Sequence, residues 1–221
     1  DYRNINPISN IYWGPEYSNI DAESAIKKSF SGNNCSVEFH DDIDRYVGKQ
    51  VARGKIIGRL RGRMEWGARA LGNRSIIADP RSQNVIHRIN KAIKMRDFWM
   101  PFAPAILDRY AKEYLNIRDN FKCPFMVMAF DTTKKGFDEI TAGTHPFDQT
   151  ARAQIVDRKN HSSFYSLIEG FEEETGVGGV LNTSFNLHGD PIVCSPEDAI
   201  YTFVNSDLDA LQIENYYIER K

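Results

Sequence analysis

The stretch that most constrains this chain spans residues 58–81 and reads GRLRGRMEWGARALGNRSIIADPR. Arg59, Arg61, Arg63, Arg69, Arg74 and Arg81, with Arg53 just upstream, crowd around Gly58, Gly62, Gly67 and Gly72. Only Glu65 and Asp79 lie close enough in sequence to answer them. Glycine lets backbone approach a ligand, and arginine offers a planar fork of donors that fits phosphate or carboxylate oxygens. Residues 55–60 and 75–78 flank the loop as apolar strands, an arrangement in which backbone amides open toward an oxyanion. An anion site is therefore expected, with a ligand-free basic face as the alternative.

Charge bookkeeping points the same way. From Arg53 to Arg96 there are 12 Lys+Arg and 2 Asp+Glu, a net of 12 − 2 = +10. The whole chain has 28 and 30, so the remainder carries 28 − 12 = 16 and 30 − 2 = 28, or −12. A basic segment sits inside an acidic molecule.

At 221 residues with 41% hydrophobic and 12% aromatic residues, the chain can bury a sizeable core. No apolar run approaches the ~20 residues that span a bilayer, and no leader-like run opens the sequence. Cys35, Cys123 and Cys194 are scattered, which fits a reduced, cytoplasmic setting. The five histidines show neither HxxxH nor HExxH, so no metal site of the chain's own is expected. Residues 1–20, rich in Pro, Asn, Ser and Tyr, read as a linker, and residues 21–221 as one domain.

Periodicity places helices after Asp21, after Asp41 or Asp42, after Ser82, from Asp108 to Leu115, from Ser162 or Ser163 to Gly176, and after Ser195. Strands are expected over residues 35–39, 98–107, 124–130, 151–156, 180–185 and 210–218, and residues 134–147 as a mobile loop. Mingled strands and helices make the class α/β, with a twisted mixed sheet and flanking helices.

Four clusters could carry chemistry. Arg63, Arg69 and Arg74 are best placed in the loop to face a ligand. Lys94 and Arg96 end a helix, where they either bind phosphate or answer the helix C-terminus. Arg152 stands in an apolar strand, where an arginine needs a partner. The run LNTSFN, with Asn182 and Ser184, is a strand end rich in short hydrogen-bonding groups. No nucleophilic triad, Walker A or GxGxxG pattern occurs. Cationic and neutral donors suit phosphoryl or adenylyl chemistry, where positioning and charge neutralisation supply most of the catalysis.

At these residues, GRMEWGARALGNRSIIADPR, KMRDFWMPFAPAIL, THPFDQTARAQIV and LNTSFNLHGDPIVCSPEDAI together resemble the C-terminal domain of the nodulation-protein and antibiotic O-carbamoyltransferase family. The resemblance runs from about Tyr12 to the end. It implies a YrdC/Sua5-like fold that binds ATP and carbamoyl phosphate, with Mg²⁺, and forms carbamoyl-adenylate. It also implies a Kae1-like N-terminal domain, preceding the linker, that passes the carbamoyl group to a small-molecule hydroxyl acceptor. The family's basic pocket maps onto Arg69, Lys94 and Arg152 as the catalytic set. Arg63, Arg74, Arg96, Asn182 and Ser184 map onto substrate and ATP binding. Ala68, Met100 and Gln149 stand where the family often has Pro, Arg and Gly. Two readings compete: a basic nucleic-acid-binding module, and a non-catalytic docking domain. No membrane partner is expected, and a homodimer is a candidate assembly.

Overall fold

The computed structural model describes residues 8–30, 35–94 and 102–221. Ten strands appear: β1 Cys35–Phe39, β2 Ile57–Leu60, β3 Arg74–Ala78, β4 Ala103–Leu107, β5 Phe130–Asp131, β6 Thr150–Ala151, β7 Gln154–Val156, β8 Gly179–Ser184, β9 Ala210–Ile213 and β10 Tyr216–Arg220. The helices are α1 Asn19–Ser29, α2 Ile43–Ala52, α3 Asn84–Ile89, α4 Ala111–Tyr114, α5 Lys134–Glu139, α6 Ser162–Thr175 and α7 Pro196–Val204. Eight strands form one sheet in the order β1-β10-β9-β2-β3-β8-β4-β7, and β5 pairs with β6 apart from it. The β2–β9 and β4–β7 pairs are parallel and the rest antiparallel, so the sheet is mixed, as the sequence predicts.

Both faces of the sheet are covered, so its central strands carry buried apolar residues toward each side. Ile57, Ile77, Val180 and Ala210 face a core closed by α2 and α6, through Val47, Val51, Leu167, Ile168 and Phe171. Their neighbours Ile56, Ile76, Leu181 and Leu211 face the other core, closed by α1, α3 and α7 through Ala22, Ile26, Ile89, Ala199 and Phe203. That alternation is the period of two that pleating imposes.

Helices α2 and α6 cross at contact distance. A Cβ on Gly48 would lie 2.1 Å from the Leu167 carbonyl oxygen, and one on Gly170 2.4 Å from that of Arg45. Helix α6 stops where Gly176 takes φ = 74°, a left-handed C-terminal cap. Helix α7 starts on a capping box of Ser195 and Asp198 with Pro196 in its first turn.

Several expected elements change. Ser18, not Asp21, caps α1, and Asp21 completes its capping box. Residues 124–129 form no strand, and Val127 and Met128 are exposed. Residues 134–147 are not a loop throughout, because Thr133 caps α5 and a 3₁₀ turn, Thr141–Gly143, follows. The 151–156 strand breaks at Arg152 and Ala153 into β6 and β7. The 210–218 strand is a hairpin, turned where Glu214 adopts φ = 48°. Residues 8–18 lie along the arginine loop, with backbone bonds from Gly14 to Met64 and from Trp66 to Ile11.

Candidate functional site

The arginine loop, residues 61–73, joins antiparallel β2 and β3 at the sheet's end. Its fold explains where most of its charge goes. Arg59 is fully buried: Nε donates to the Gly72 carbonyl at 2.7 Å, and its terminal nitrogens donate to Asp44 and Gln212 at 2.6 Å and to the Ser163 hydroxyl at 2.6 Å. Burial alone would raise the Asp44 carboxyl, but Arg59 and Arg61 beside it outweigh that and hold its pKa below the ordinary value. Arg61 reaches Glu214 at 2.9 Å and the Asn215 side chain at 2.8 Å. Gly72, at φ = 111°, sits where any Cβ would strike the Phe164 ring, at 2.4 Å from its nearest atom.

Several of the loop's own amides are occupied as well. Glu65 is buried, and its Oε1 accepts from the N–H groups of Leu71 at 2.6 Å and of Asn73 and Arg74 at 3.2 Å. The oxyanion that the glycine-rich loop cradles is thus a carboxylate of the chain itself. Arg74 corrects the expectation that it faces a ligand. Its guanidinium is buried and donates to the carbonyls of Pro15, Arg61, Gly62, Asn73 and Cys194, fastening the loop to the lead segment and to the approach of α7. Burial lowers its pKa, although nearby Glu65 and Glu214 oppose the effect.

Other charges of the segment are paired as well. Arg81 binds Asp79 and Arg88 binds Asp209, at 2.7 and 2.9 Å. Apart from Asp79, the answering carboxylates come from distant sequence, such as Glu214, 153 residues from Arg61. Arg63 is exposed, and its carbonyl accepts from Asn73. Arg96 and Met100 lie outside the described residues.

A small cavity of about 80 Å³ gathers other expected residues. Arg69 from the loop, Arg152 from the break between β6 and β7, and Asn182 and Ser184 from β8 all line it, with Phe102 and Met126 as apolar wall. Lys94 stands behind Ser184. Its buried Nζ donates to the Ser184 hydroxyl at 3.1 Å, to Asn186 Oδ1 at 2.6 Å and to the Asn186 carbonyl at 3.2 Å. Lys94 closes a π-helical turn, Asn90–Lys94, after α3. Asp148, the acidic neighbour of Arg152 in sequence, holds the N–H and hydroxyl of Thr150 and lies 3.2 Å from His145. The cavity has room for a phosphate- or carbamoyl-sized group with the rest of a nucleotide outside it. Among the described residues no group of three His, Cys, Asp or Glu could hold a metal.

Sequence reasoning missed two features. One is a larger cavity of about 890 Å³, lined by Arg109, Lys112, Phe121, Phe125, Val127 and Asn160, among others. Its Arg109 and Lys112 are paired with Glu172 and Asp119, while Arg118 and Lys122 also line it. The other is Gln154, fully buried, whose side-chain oxygen accepts from Asn182 Nδ2 at 3.2 Å. Its position in the expected 151–156 strand was the available signal, since a glutamine amid apolar neighbours needs partners.

Residues 48–220 match the family model described as Carbamoyltransferase C-terminus. The chain is 40% identical over 211 residues to an uncharacterised protein, MJ1058, of Methanocaldococcus jannaschii, covering 95% of this chain and 34% of that protein. It is 37% identical to the nodulation protein NolO of Bradyrhizobium diazoefficiens, covering 97% of this chain and 39% of NolO. It is 30% identical to the 3'-hydroxymethylcephem-O-carbamoyltransferase of Streptomyces clavuligerus, over 68% of this chain and 28% of that enzyme. The chain therefore spans roughly a third of the length of these relatives. In structure it is similar to full-length HypF in a phosphate- and nucleotide-bound form, with a TM-score of 0.52 at 15% identity over 87% of this chain and 23% of HypF. HypF contains a YrdC-like domain, so the fold agrees with the expected YrdC-like architecture.

Proposed function

The chain belongs to the carbamoyltransferase C-terminal family, and from that premise we propose that its small cavity binds ATP and carbamoyl phosphate and forms carbamoyl-adenylate. The observation that carries this reading is the meeting of Arg69, Arg152, Asn182 and Ser184 around one cavity, with Lys94 hydrogen-bonded to Ser184 behind it. Two guanidinium groups and a buried ammonium suit the charge that phosphoryl groups develop at phosphorus and on the leaving oxygen. Hydrolysis of carbamoyl phosphate would release phosphate and carbamate. A carbamate oxygen would then attack the α-phosphorus, forming a P–O bond as the bond to pyrophosphate breaks. No protein nucleophile enters this sequence, and positioning supplies the advantage. Mg²⁺ would travel on the nucleotide's phosphates and screen their charge. Transfer to a hydroxyl acceptor is assigned to a Kae1-like domain preceding this one.

The Streptomyces clavuligerus relative, named as an O-carbamoyltransferase, supports the reading, as does the nucleotide- and phosphate-bound form of HypF. Arg152→Ala decides whether that arginine is a ligand group. The substitution is expected to abolish carbamoyl phosphate-dependent pyrophosphate release from ATP while leaving the melting temperature within a few degrees. A destabilised variant that still turns over saturating carbamoyl phosphate would overturn the assignment.

A further inference from the structure

Arg69 lines the small cavity, and among the described residues no hydrogen bond or ion pair holds its guanidinium. Its direction is therefore set by the backbone that carries it. That backbone is the bend between two limbs of the arginine loop. The first limb, residues 64–66, is fastened to the lead segment: Met64 donates to the Pro15 carbonyl and accepts from Gly14, and Trp66 donates to the Ile11 carbonyl. The second limb, residues 70–74, is fastened through its carbonyls, which accept from Asn182 at Ala70, Gln154 at Leu71 and Arg59 at Gly72, at 3.1, 3.1 and 2.7 Å. Glu65 joins the limbs. Its buried Oε1 accepts from the amides of Leu71, Asn73 and Arg74 at 2.6, 3.2 and 3.2 Å. The bond to Leu71 closes the run 65–71 into a ring with Arg69 inside it. The link from the Asn73 side chain to the Arg63 carbonyl, 2.8 Å long, lies farther back in sequence and leaves that ring open.

We propose that Glu65 is a positioning residue, whose carboxylate sets the bend so that Arg69 meets an anion in the small cavity. Within the carbamoyl phosphate reading, on which this rests, that anion is carbamoyl phosphate. What the site takes from Glu65 is reach, not charge. A carboxylate near an anionic ligand repels it, whereas three amides close around any acceptor oxygen held at that point, a glutamine carbonyl included. Shortening the side chain by one methylene withdraws the acceptor by about 1.5 Å, so the bonds break or the bend follows.

Two substitutions in the full-length protein separate reach from charge. Glu65→Gln keeps the acceptor oxygen and removes the charge, while Glu65→Asp keeps the charge and loses the reach. By calorimetry, carbamoyl phosphate affinity is expected to stay within about threefold of native in Glu65→Gln and to weaken about tenfold in Glu65→Asp, the loss of one charge-assisted contact. Arg69→Ala should weaken it by a similar factor. Adding Glu65→Asp to Arg69→Ala should then cost no more than about twofold further, because both remove the same contact. A purely structural role would weaken binding alike in both backgrounds. Native affinity in Glu65→Asp, or losses that multiply in the double variant, overturns the proposal. A loss of about tenfold in Glu65→Gln overturns it too, and that variant decides alone should Glu65→Asp not fold. Amide exchange at Leu71, Asn73 and Arg74 supplies a readout without ligand. It should quicken about tenfold in Glu65→Asp and stay near native in Glu65→Gln, and unchanged exchange in Glu65→Asp also sinks the proposal. If exchange responds as expected but the native protein binds no carbamoyl phosphate, the carbamoyl-adenylate reading fails and the hold of Glu65 on the bend stands.

Discussion

Asp44 and His161 show how single side chains set the stability of the ground on which the site rests. Asp44 Oδ1 lies 2.6 Å from Arg59 and Oδ2 2.9 Å from the Ser163 hydroxyl, all in the interior. Removing the carboxylate leaves a guanidinium buried without its counter-charge, which costs about 3–5 kcal/mol. Asp44→Ala is therefore expected to lower unfolding free energy by about that amount in urea titrations, and a loss below about 1 kcal/mol would contradict the account. His161 presents the opposite case. It is buried, neither ring nitrogen has a hydrogen-bond partner, and it packs edge-on against Tyr12 at 5.6 Å. Burial pushes its pKa down, and Asp157 opposes the shift only in part. A group whose folded pKa is depressed binds its proton more readily when unfolded, so its share of stability is present above about pH 6.5 and is lost as pH falls from there toward the folded pKa. His161→Phe keeps the ring contact and should flatten the stability profile in the window below about pH 6.5. Urea melts across that window check it, and an unchanged slope would show that another group titrates.

Among the elements, the crossing of α2 and α6 has the tightest tolerance. Each helix contributes a glycine at the contact, and each glycine faces backbone rather than a movable side chain. Gly170→Ala should raise helix propensity by about 1 kcal/mol in isolation, but the added methyl would meet the Arg45 backbone, and overpacking of that kind costs about 1–3 kcal/mol or more. The net expectation is a lower denaturation midpoint, and a stabilised variant would refute the close crossing. The same scale shows what the sequence made legible. Strands β2, β3 and β8 could be read because burial on both faces leaves adjacent apolar residues at 56–57, 76–78 and 180–181, and α6 and α7 because an αL glycine and a capping box mark their ends. Residues 124–130 were misread because apolar content there serves a cavity wall instead of a sheet: Met126 faces the small cavity, while Phe125 and Val127 face the large one. The 210–218 run hid a turn because Glu214 adopts φ = 48° without a glycine or proline to announce it. Within the candidate site, Arg69, Arg152, Asn182 and Ser184 were visible as motif residues. Gln154 was not, because its role depends on oxygens that only the fold brings near.

For the whole molecule, the basic segment had two possible outlets, an external polyanion or the acidic remainder of the chain. The fold uses the second. Arg59 and Arg74 are enclosed, and Lys55, Arg61, Arg81 and Arg88 are paired with Glu219, Glu214, Asp79 and Asp209. Exposed cations of the segment that have no ion pair are, among the described residues, Arg53, Arg63, Arg69 and Lys91. Each phosphate contact on a duplex contributes about −0.9 to the slope of log affinity against log salt. All 12 Lys+Arg of the segment acting together would give a slope near −11, whereas four give no more than about −4. Fluorescence anisotropy with a labelled mixed-sequence duplex between 50 and 200 mM salt is therefore expected to show weak binding with a shallow slope. Tight binding with a slope steeper than about −6 would mean that cations paired in the fold leave their carboxylates to meet a polyanion. The nucleic-acid reading would then displace the small-molecule site. A shallow slope is the outcome expected if Arg69 serves the small cavity that it lines together with Arg152.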